Sequence, residues 1–272
     1  MTSTSNEHSD QPNDQSRDQV TEGATGSDPT NGPGAGRTAL VTGANKGIGL
    51  AIAEGLGRLG FSVGVGARDD SRRQEAVDRL RAEGLDAFGV ALDVTDDASV
   101  AAAAQQLGER GGLDVLVNNA GITGGMPQEP TRATPEQIRE VVEVNVIGVV
   151  RTTNAMLPML RRGRSPRVVN VSSVVGSLGL QTAQDEPVGP ISAVYSPTKT
   201  YLNAITVQYA KELAGTGVLV NAGCPGHVAT DLNGHRGHRT PEQGAAVFLE
   251  LATLPDDGPH GTFRDETGVQ PW

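Results

Sequence analysis

The 272-residue chain has a single cysteine, Cys224, so it cannot close an intrachain disulfide. Nothing therefore points to a secreted, disulfide-stapled scaffold, and a cytoplasmic setting is the default. It has no run approaching the ~18 apolar residues of a membrane-crossing helix, and its N-terminus lacks a signal peptide's apolar core. It also has no basic excess. The net charge is −10, and half of that sits in residues 1–36, where Glu7, Asp10, Asp14, Asp18, Glu22 and Asp28 face Arg17 alone. The remainder is an ordinary acidic surface with no field for nucleic acid or anionic lipid. Residues 1–36 contain one large aliphatic side chain, Val20, too little to offset chain entropy, and are expected to be a disordered tail. No repeat of fixed period is present.

What the chain does have begins after Gly36. Short apolar runs alternate with amphipathic stretches, the pattern of a parallel sheet covered by helices. Strands are expected at Thr38–Thr42, Ser62–Gly66, Ala87–Leu92, Val115–Asn118, Arg167–Val171 and Val218–Ala222. Helices are expected at Ile48–Leu59, Arg72–Ala82, Ala98–Glu109, Pro135–Arg161, Val194–Leu213 and Pro241–Ala252. With right-handed crossovers this order gives one α/β domain over residues 37–272. Its form is a doubly wound (Rossmann) parallel sheet with helices on both faces and ligands at the carboxyl ends of the strands.

Gly43, Gly47 and Gly49 follow the first strand and open a helix, in the turn Thr42-Gly43-Ala44-Asn45-Lys46-Gly47-Ile48-Gly49. Backbone amides and the positive helix end then face whatever lies above, which favours a dinucleotide pyrophosphate. The second strand runs into Arg68, where an adenosine ribose is expected. Arg68 and Lys46 together suit a 2′-phosphate better than a hydroxyl, so NADP(H) is favoured over NAD(H). Asp69 and Asp70 beside Arg68 lower its net field. Asp93 and Val94, ending the third strand, are placed to bond the adenine amino group. Asn119, Ala120 and Gly121, ending the fourth, sit where a cofactor ribose passes, although asparagines there serve equally to satisfy turn backbone.

Tyr195 and Lys199 stand four residues apart on one helix face, so an ammonium can lie beside a phenol. That ammonium, with the positive ring of an oxidised nicotinamide, is expected to favour the phenolate and make the tyrosine an acid or base near neutrality. Pro197 between them places Tyr195 in the helix's opening turn. The strand ending in Ser172 and Ser173 brings hydroxyls to the same edge, and Ser173 is chosen to hold a substrate carbonyl oxygen. Asn145 interrupts the apolar run from Val141 to Ile147. It is either a satisfied core amide or the anchor of a water that feeds protons to Lys199.

Taken together, the glycine turn, Asn118-Asn119-Ala120-Gly121, the helix asparagine, the serine strand, Tyr195-x-x-x-Lys199 and Cys224-Pro225-Gly226 with Val228 and Thr230 resemble the short-chain dehydrogenase/reductase family. The turn variant and Gly66-Ala67-Arg68-Asp69 are more particularly similar to its NADPH-dependent carbonyl reductases. The resemblance, from Arg37 to Trp272, implies a catalytic tetrad of Asn145, Ser173, Tyr195 and Lys199, and pro-S hydride transfer to a ketone, aldehyde or quinone carbonyl. It further implies cofactor contacts from Gly43, Asn45, Lys46, Gly47, Ile48, Gly49, Arg68, Asp93, Val94, Asn119, Ala120, Gly121, Tyr195 and Lys199. Pro225 and Gly226 would shape the loop beneath the nicotinamide, while Val228 and Thr230 would hold its carboxamide.

The interval from Ser173 to Tyr195 is longer than the family's usual one, with Thr182–Pro190 as the insert. Such a segment would lie near the active-site mouth and near helix faces many relatives use for tetramers, so monomer and homo-oligomer both stay open. His235 and His238 do not join Cys224 in a metal site, because no further ligand has fitting spacing. They read instead as part of a mobile flap, Asp231–Arg239, over a small-molecule pocket walled by Ile122, Met126, Leu180, His227 and Leu232. Two other readings use the same fold: a dinucleotide-binding sensor without chemistry, and an isomerase or dehydratase.

Overall fold

A computed structural model describes residues 32–183 and 188–272. Most of the tail reading, and Gln184 to Pro187 of the insert, fall outside the described residues. Residues 32–36 already lean on the domain, with the Gly34 N–H donating to Leu59 O at 2.9 Å.

The six expected strands are present as β1 (Thr38–Thr42), β2 (Ser62–Ala67), β3 (Ala87–Ala91), β4 (Val115–Asn118), β5 (Arg167–Val171) and β6 (Leu219–Gly223). Two more follow, β7 (Phe263–Asp265) and β8 (Gly268–Val269). The sheet of the described residues runs β3-β2-β1-β4-β5-β6-β7-β8. Every pairing is parallel except β7 with β8. Strand order reverses between β1 and β4, so the crevice outside their carboxyl ends is the switch point at which such sheets bind ligands.

Alternation along the strands explains the two cores. Ala39 and Val41 of β1 face one layer, built on α1 (Gly47–Arg58), α2 (Asp70–Ala82) and α8 (Pro241–Ala252) through Ile52, Leu56, Leu80 and Phe248. Leu40 faces the other, built on α3 (Asp97–Glu109), α5 (Gly148–Leu160) and α7 (Ser196–Glu212) through Leu107, Met156 and Tyr209. Strands buried on both faces need apolar residues at odd and even positions alike, as these have. Each fully buried Leu, Ile or Phe contributes about 1.5–3 kcal/mol relative to exposure.

The helix expected over Pro135–Arg161 is not regular. It consists of α4 (Pro135–Val142), a π-helical turn over Glu143–Ile147, and α5. A short helix α6 (Leu178–Gln181), capped by the Ser177 hydroxyl, was not anticipated. No helix among the described residues is long and apolar enough to cross a membrane.

Candidate active site

The glycine turn leaves β1 with Gly43 at φ +65° and Gly47 at φ +57°, a region L side chains rarely enter. A Cβ on Gly43 would lie 3.0 Å from Ala120 Cα, and one on Gly49 would fall 2.4 Å from Asn119 Nδ2. Lys46 stands at the N-cap of α1 but its side chain caps nothing, and the first turn carries no acid. The opening amides of α1 are thus left for an anion, with the helix dipole behind them. Asn45 is partly exposed in the turn, and Ile48 is partly buried against the core.

Thr42, which the sequence reading passed over, holds this turn to β4. Its buried hydroxyl accepts from the Asn119 and Ala120 N–H groups, both at 2.9 Å. The Asn119 amide returns the contact by donating to Thr42 O at 2.8 Å and Gly43 O at 3.2 Å. This asparagine therefore satisfies turn backbone, a role that leaves a cofactor contact open. Asn118 turns inward, donating to Thr153 Oγ1 at 3.0 Å and Asn170 Oδ1 at 2.9 Å. Asn170 in turn donates to Thr206 Oγ1 at 2.8 Å, so a buried polar ladder locks β4 and β5 between α5 and α7.

On the adenosine side, Asp93 Oδ1 accepts from Thr95 N at 2.9 Å and Thr95 Oγ1 at 2.7 Å. These bonds hold its carboxyl below the usual carboxylate range, and Arg68 and Arg151 help from a distance. Val94 is buried, and its carbonyl accepts from Arg151 Nη1 at 2.7 Å. Arg68 is exposed at the end of β2 and makes no ion pair among the described residues. The acids beside it have partners of their own: Asp69 caps α2 by accepting from Arg72 N at 2.9 Å, and Asp70 pairs with Arg73. Lys46 is not free as expected, since its ammonium lies 2.6 Å from Asp231 Oδ2.

On the reaction side, Tyr195 is the N-cap of α7, with Pro197 tolerated in the first turn. Lys199 is buried one turn on. Its Nζ donates to Val171 O at 2.7 Å and lies 5.6 Å from the centre of the Tyr195 ring. Burial lowers the Lys199 ammonium to about 8. The lowering expected of the Tyr195 phenol joined the ammonium to the ring of an oxidised nicotinamide; in the protein alone burial pushes the phenol up, and nearby Cys224 adds in the same direction. A phenol that keeps its proton is suited to donating it.

The two serines differ, and the one that caps the turn before Gly176 is Ser173, not Ser172. Ser172 is buried, its hydroxyl donating to Asn203 Oδ1 at 2.5 Å. Ser173 is partly exposed and engaged only through a long 3.4 Å bond from Val175 N. The turn after it presses on α7 because Gly176 has no side chain, and a Cβ there would meet the Lys199 backbone at 2.7 Å. Asn145 sits in the π-helical turn, and such turns often mark functional sites. Its side chain accepts from Ile122 N at 2.8 Å, donates to Ile122 O at 2.8 Å and donates to Thr198 Oγ1 at 3.1 Å. Thr198 donates to Tyr195 O at 2.6 Å, so Asn145 ties the loop after β4 to the start of α7. Gly121 gives it room, since a Cβ there would be 3.2 Å from Asn145 Oδ1.

The loop after β6 descends on the glycine turn. Thr230 Cγ2 stands 3.4 Å from where a Gly47 Cβ would be, and Asp231 meets Lys46. Pro225 and Gly226 lie at its start, with Gly226 at φ +74°. Buried Val228 bridges Arg239, and Ala229 N–H donates to Arg239 O at 2.9 Å. The segment read as a flap is therefore stitched at its base. His235 bonds Asp231 at 2.9 Å, and His227 and His238 meet edge to face at 5.6 Å. Of the expected pocket walls, Met126, His227 and Leu232 are exposed, while Ile122 and Leu180 are half-buried.

A family model described as short chain dehydrogenase matches residues 37–240. Carbonyl reductase (NADPH) 1 of Homo sapiens is 37% identical over 86% of this chain and 98% of its own. Short-chain dehydrogenase/reductase 1 of Saponaria officinalis is 34% identical over 87% of this chain and 96% of its own. Among solved structures, salutaridine reductase from Papaver somniferum superposes with a TM-score of 0.74 at 31% identity, covering 84% of this chain and 99% of that one.

Proposed function

The chain belongs to the short-chain dehydrogenase family, and from that premise we propose that it reduces a ketone, aldehyde or quinone carbonyl with NADPH, reversibly. The single observation that carries this reading is the pairing of Tyr195 with buried Lys199 on the sheet edge that also bears the uncapped start of α1. A sensor of dinucleotides has no use for a lysine kept dry behind a tyrosine, where burial costs it part of its charge.

The residues present fit an NADP cofactor. The first-turn amides of α1 and the glycines suit its pyrophosphate. Exposed Arg68, and Lys46 once shared with Asp231, suit a 2′-phosphate. Asp93 and Val94 would border the adenine, Asn119, Ala120 and Gly121 the ribose path, and Pro225, Gly226, Val228 and Thr230 the nicotinamide. When bound, the cofactor supplies the hydride that reaches the carbonyl carbon. Ser173 then holds the carbonyl oxygen and Tyr195 gives it a proton, completing the alcohol. Lys199 would hold a ribose hydroxyl and compensate the charge left on the phenolate, and Asn145 keeps the α7 entrance in register. The setting we assign is cytoplasmic and the partner a small carbonyl compound.

A panel of quinones, aldehydes and ketones offered with NADPH and NADH side by side tests the reading. NADPH consumption with at least one carbonyl, and weaker consumption of NADH, is the expected outcome. Binding of NADPH without consumption across the panel would leave a sensor, and product without net cofactor change would leave an isomerase or dehydratase.

A further inference from the structure

Gln128 is buried in the loop between β4 and α4, a place where a polar side chain is retained only if its partners are all supplied. They are, and they come from two sides. Its Nε2 donates to Thr123 O at 2.9 Å and Gly125 O at 2.5 Å within its own loop. Its Oε1 accepts from Ser192 Oγ at 3.2 Å and Val194 N at 3.3 Å, and its main-chain oxygen accepts from Ala193 N at 2.9 Å. Every bond on the second side falls on the three residues immediately before Tyr195.

That position follows the long connection from Ser173, which carries the insert. A longer connection leaves its far end less determined by the near one, since more conformations satisfy the same span. Tyr195 is the first residue after it that must be held within a fraction of an ångström for proton transfer. On the proposed carbonyl-reductase reading, we infer that Gln128 is a positioning residue that re-anchors the chain after the insert and so sets where Tyr195 enters the site. Asn145 holds Tyr195 from the helix side, through Thr198. Gln128 holds it from the insert side.

The test uses the full chain with Gln128→Leu, which removes every side-chain bond at similar bulk, and Gln128→Asn, which keeps the amide but is one methylene too short to reach both sides. In both, kcat is expected to fall by about tenfold or more while the NADPH dissociation constant stays within about twofold, because the glycine turn is untouched. The primary isotope effect with NADPH deuterated at the transferred position should rise as the chemical step becomes limiting. Hydrogen exchange read by mass spectrometry should quicken across residues 189–196 and stay unchanged across residues 40–50. Should Gln128→Leu fail to fold, Gln128→Asn decides alone. Wild-type kcat, or unaltered exchange before Tyr195, overturns the inference. The exchange readout needs no turnover, so a wild-type protein inactive on every carbonyl would count against the activity and not against the anchor.

Discussion

The two halves of the crevice are built differently. The cofactor half, at β1 and β4, is made almost wholly of backbone: glycines that admit close approach, a helix start without a side-chain cap, and one threonine hydroxyl stapling two strand ends. The reaction half, at β5 and α7, is made of side chains that reach across the fold, among them Asn145 to Ile122 and Lys199 to Val171. A backbone-built site depends on residues being absent, and a side-chain-built site on residues being present. The first tolerates changes in identity but not in volume, and the second the reverse.

Crossed substitutions put that contrast to its hardest trial. Tyr195→Phe is expected to cut kcat by about a thousandfold or more, since it removes the proposed proton donor, while leaving the NADPH dissociation constant nearly unchanged. Gly49→Val should do the opposite in kind, abolishing NADPH binding because its Cβ would strike Asn119 Nδ2 and Gly43 O at 2.4 and 2.5 Å. Fluorescence titration and stopped-flow rates on both variants read the two quantities separately. If Tyr195→Phe lost NADPH binding as severely as Gly49→Val, the division into halves would be false.

How far each half could be read in the chain follows from the same contrast. The glycine turn and the six longer strands were legible because their signals are local: a motif of eight residues, or a run of apolar ones. The last two strands were not, since β7 and β8 are three and two residues long and owe their place to pairing beside β6 and to Trp272 stacked on Phe263 at 5.8 Å. Asn145 announced itself by interrupting an apolar run, yet its partners Ile122 and Thr198 lie too far along the chain for any spacing rule to find. The π-helical turn that carries it leaves no mark in apolar periodicity. Thr42 and Gln128 went unnoticed because a threonine at a strand end and a glutamine in a loop are ordinary until the far partner is placed. The upward shift of Tyr195 in the protein alone was hidden for a related reason: charge proximity can be judged from an i,i+4 pair, but desolvation is set by the whole fold.

The cost of the reaction half should be visible in stability against pH. Burial takes Lys199 from an ordinary lysine value down to about 8. Below that pH both folded and unfolded chains carry the proton, and the penalty is present in full. Between about pH 8 and the ordinary lysine value of ~10.4 the unfolded chain binds the proton and the folded one does not, so stability rises with pH, by at most about 1.4 kcal/mol per unit. Buried Cys224, whose thiol burial raises, works in the other direction from its ordinary value of ~8.5 upward, and the raised Tyr195 and Tyr209 do so above ~10, so the Lys199 contribution should be sought between pH 8 and 10 as a difference from a variant that lacks it. Urea midpoints for wild type and Lys199→Met test this: over that interval the wild type is expected to gain relative to the variant, whose midpoint should fall as the Cys224 thiol titrates in the unfolded chain. Reductase activity should move oppositely, declining above about pH 8 as the ammonium is lost. An equal slope in both proteins would remove Lys199 as the source.

The smallest expected effect lies where the two halves touch. Lys46 belongs to the glycine turn and Asp231 to the loop after β6, and their ion pair at 2.6 Å competes with any phosphate for the same ammonium. Both side chains are more than half exposed, at 55% and 57%, so solvent screens the pair. Exposed pairs of this kind contribute little, and Asp231→Asn should therefore tighten NADPH binding by about twofold to fivefold and no more. Binding of NADH, which lacks the 2′-phosphate, should stay as it was, and the difference should shrink as salt is raised. Equal tightening for both cofactors would mean that Asp231 acts on the loop as a whole. A change confined to NADPH would mean that the loop after β6 restrains the glycine turn through a single carboxylate, so that there a side chain, and not the backbone, decides what the turn accepts.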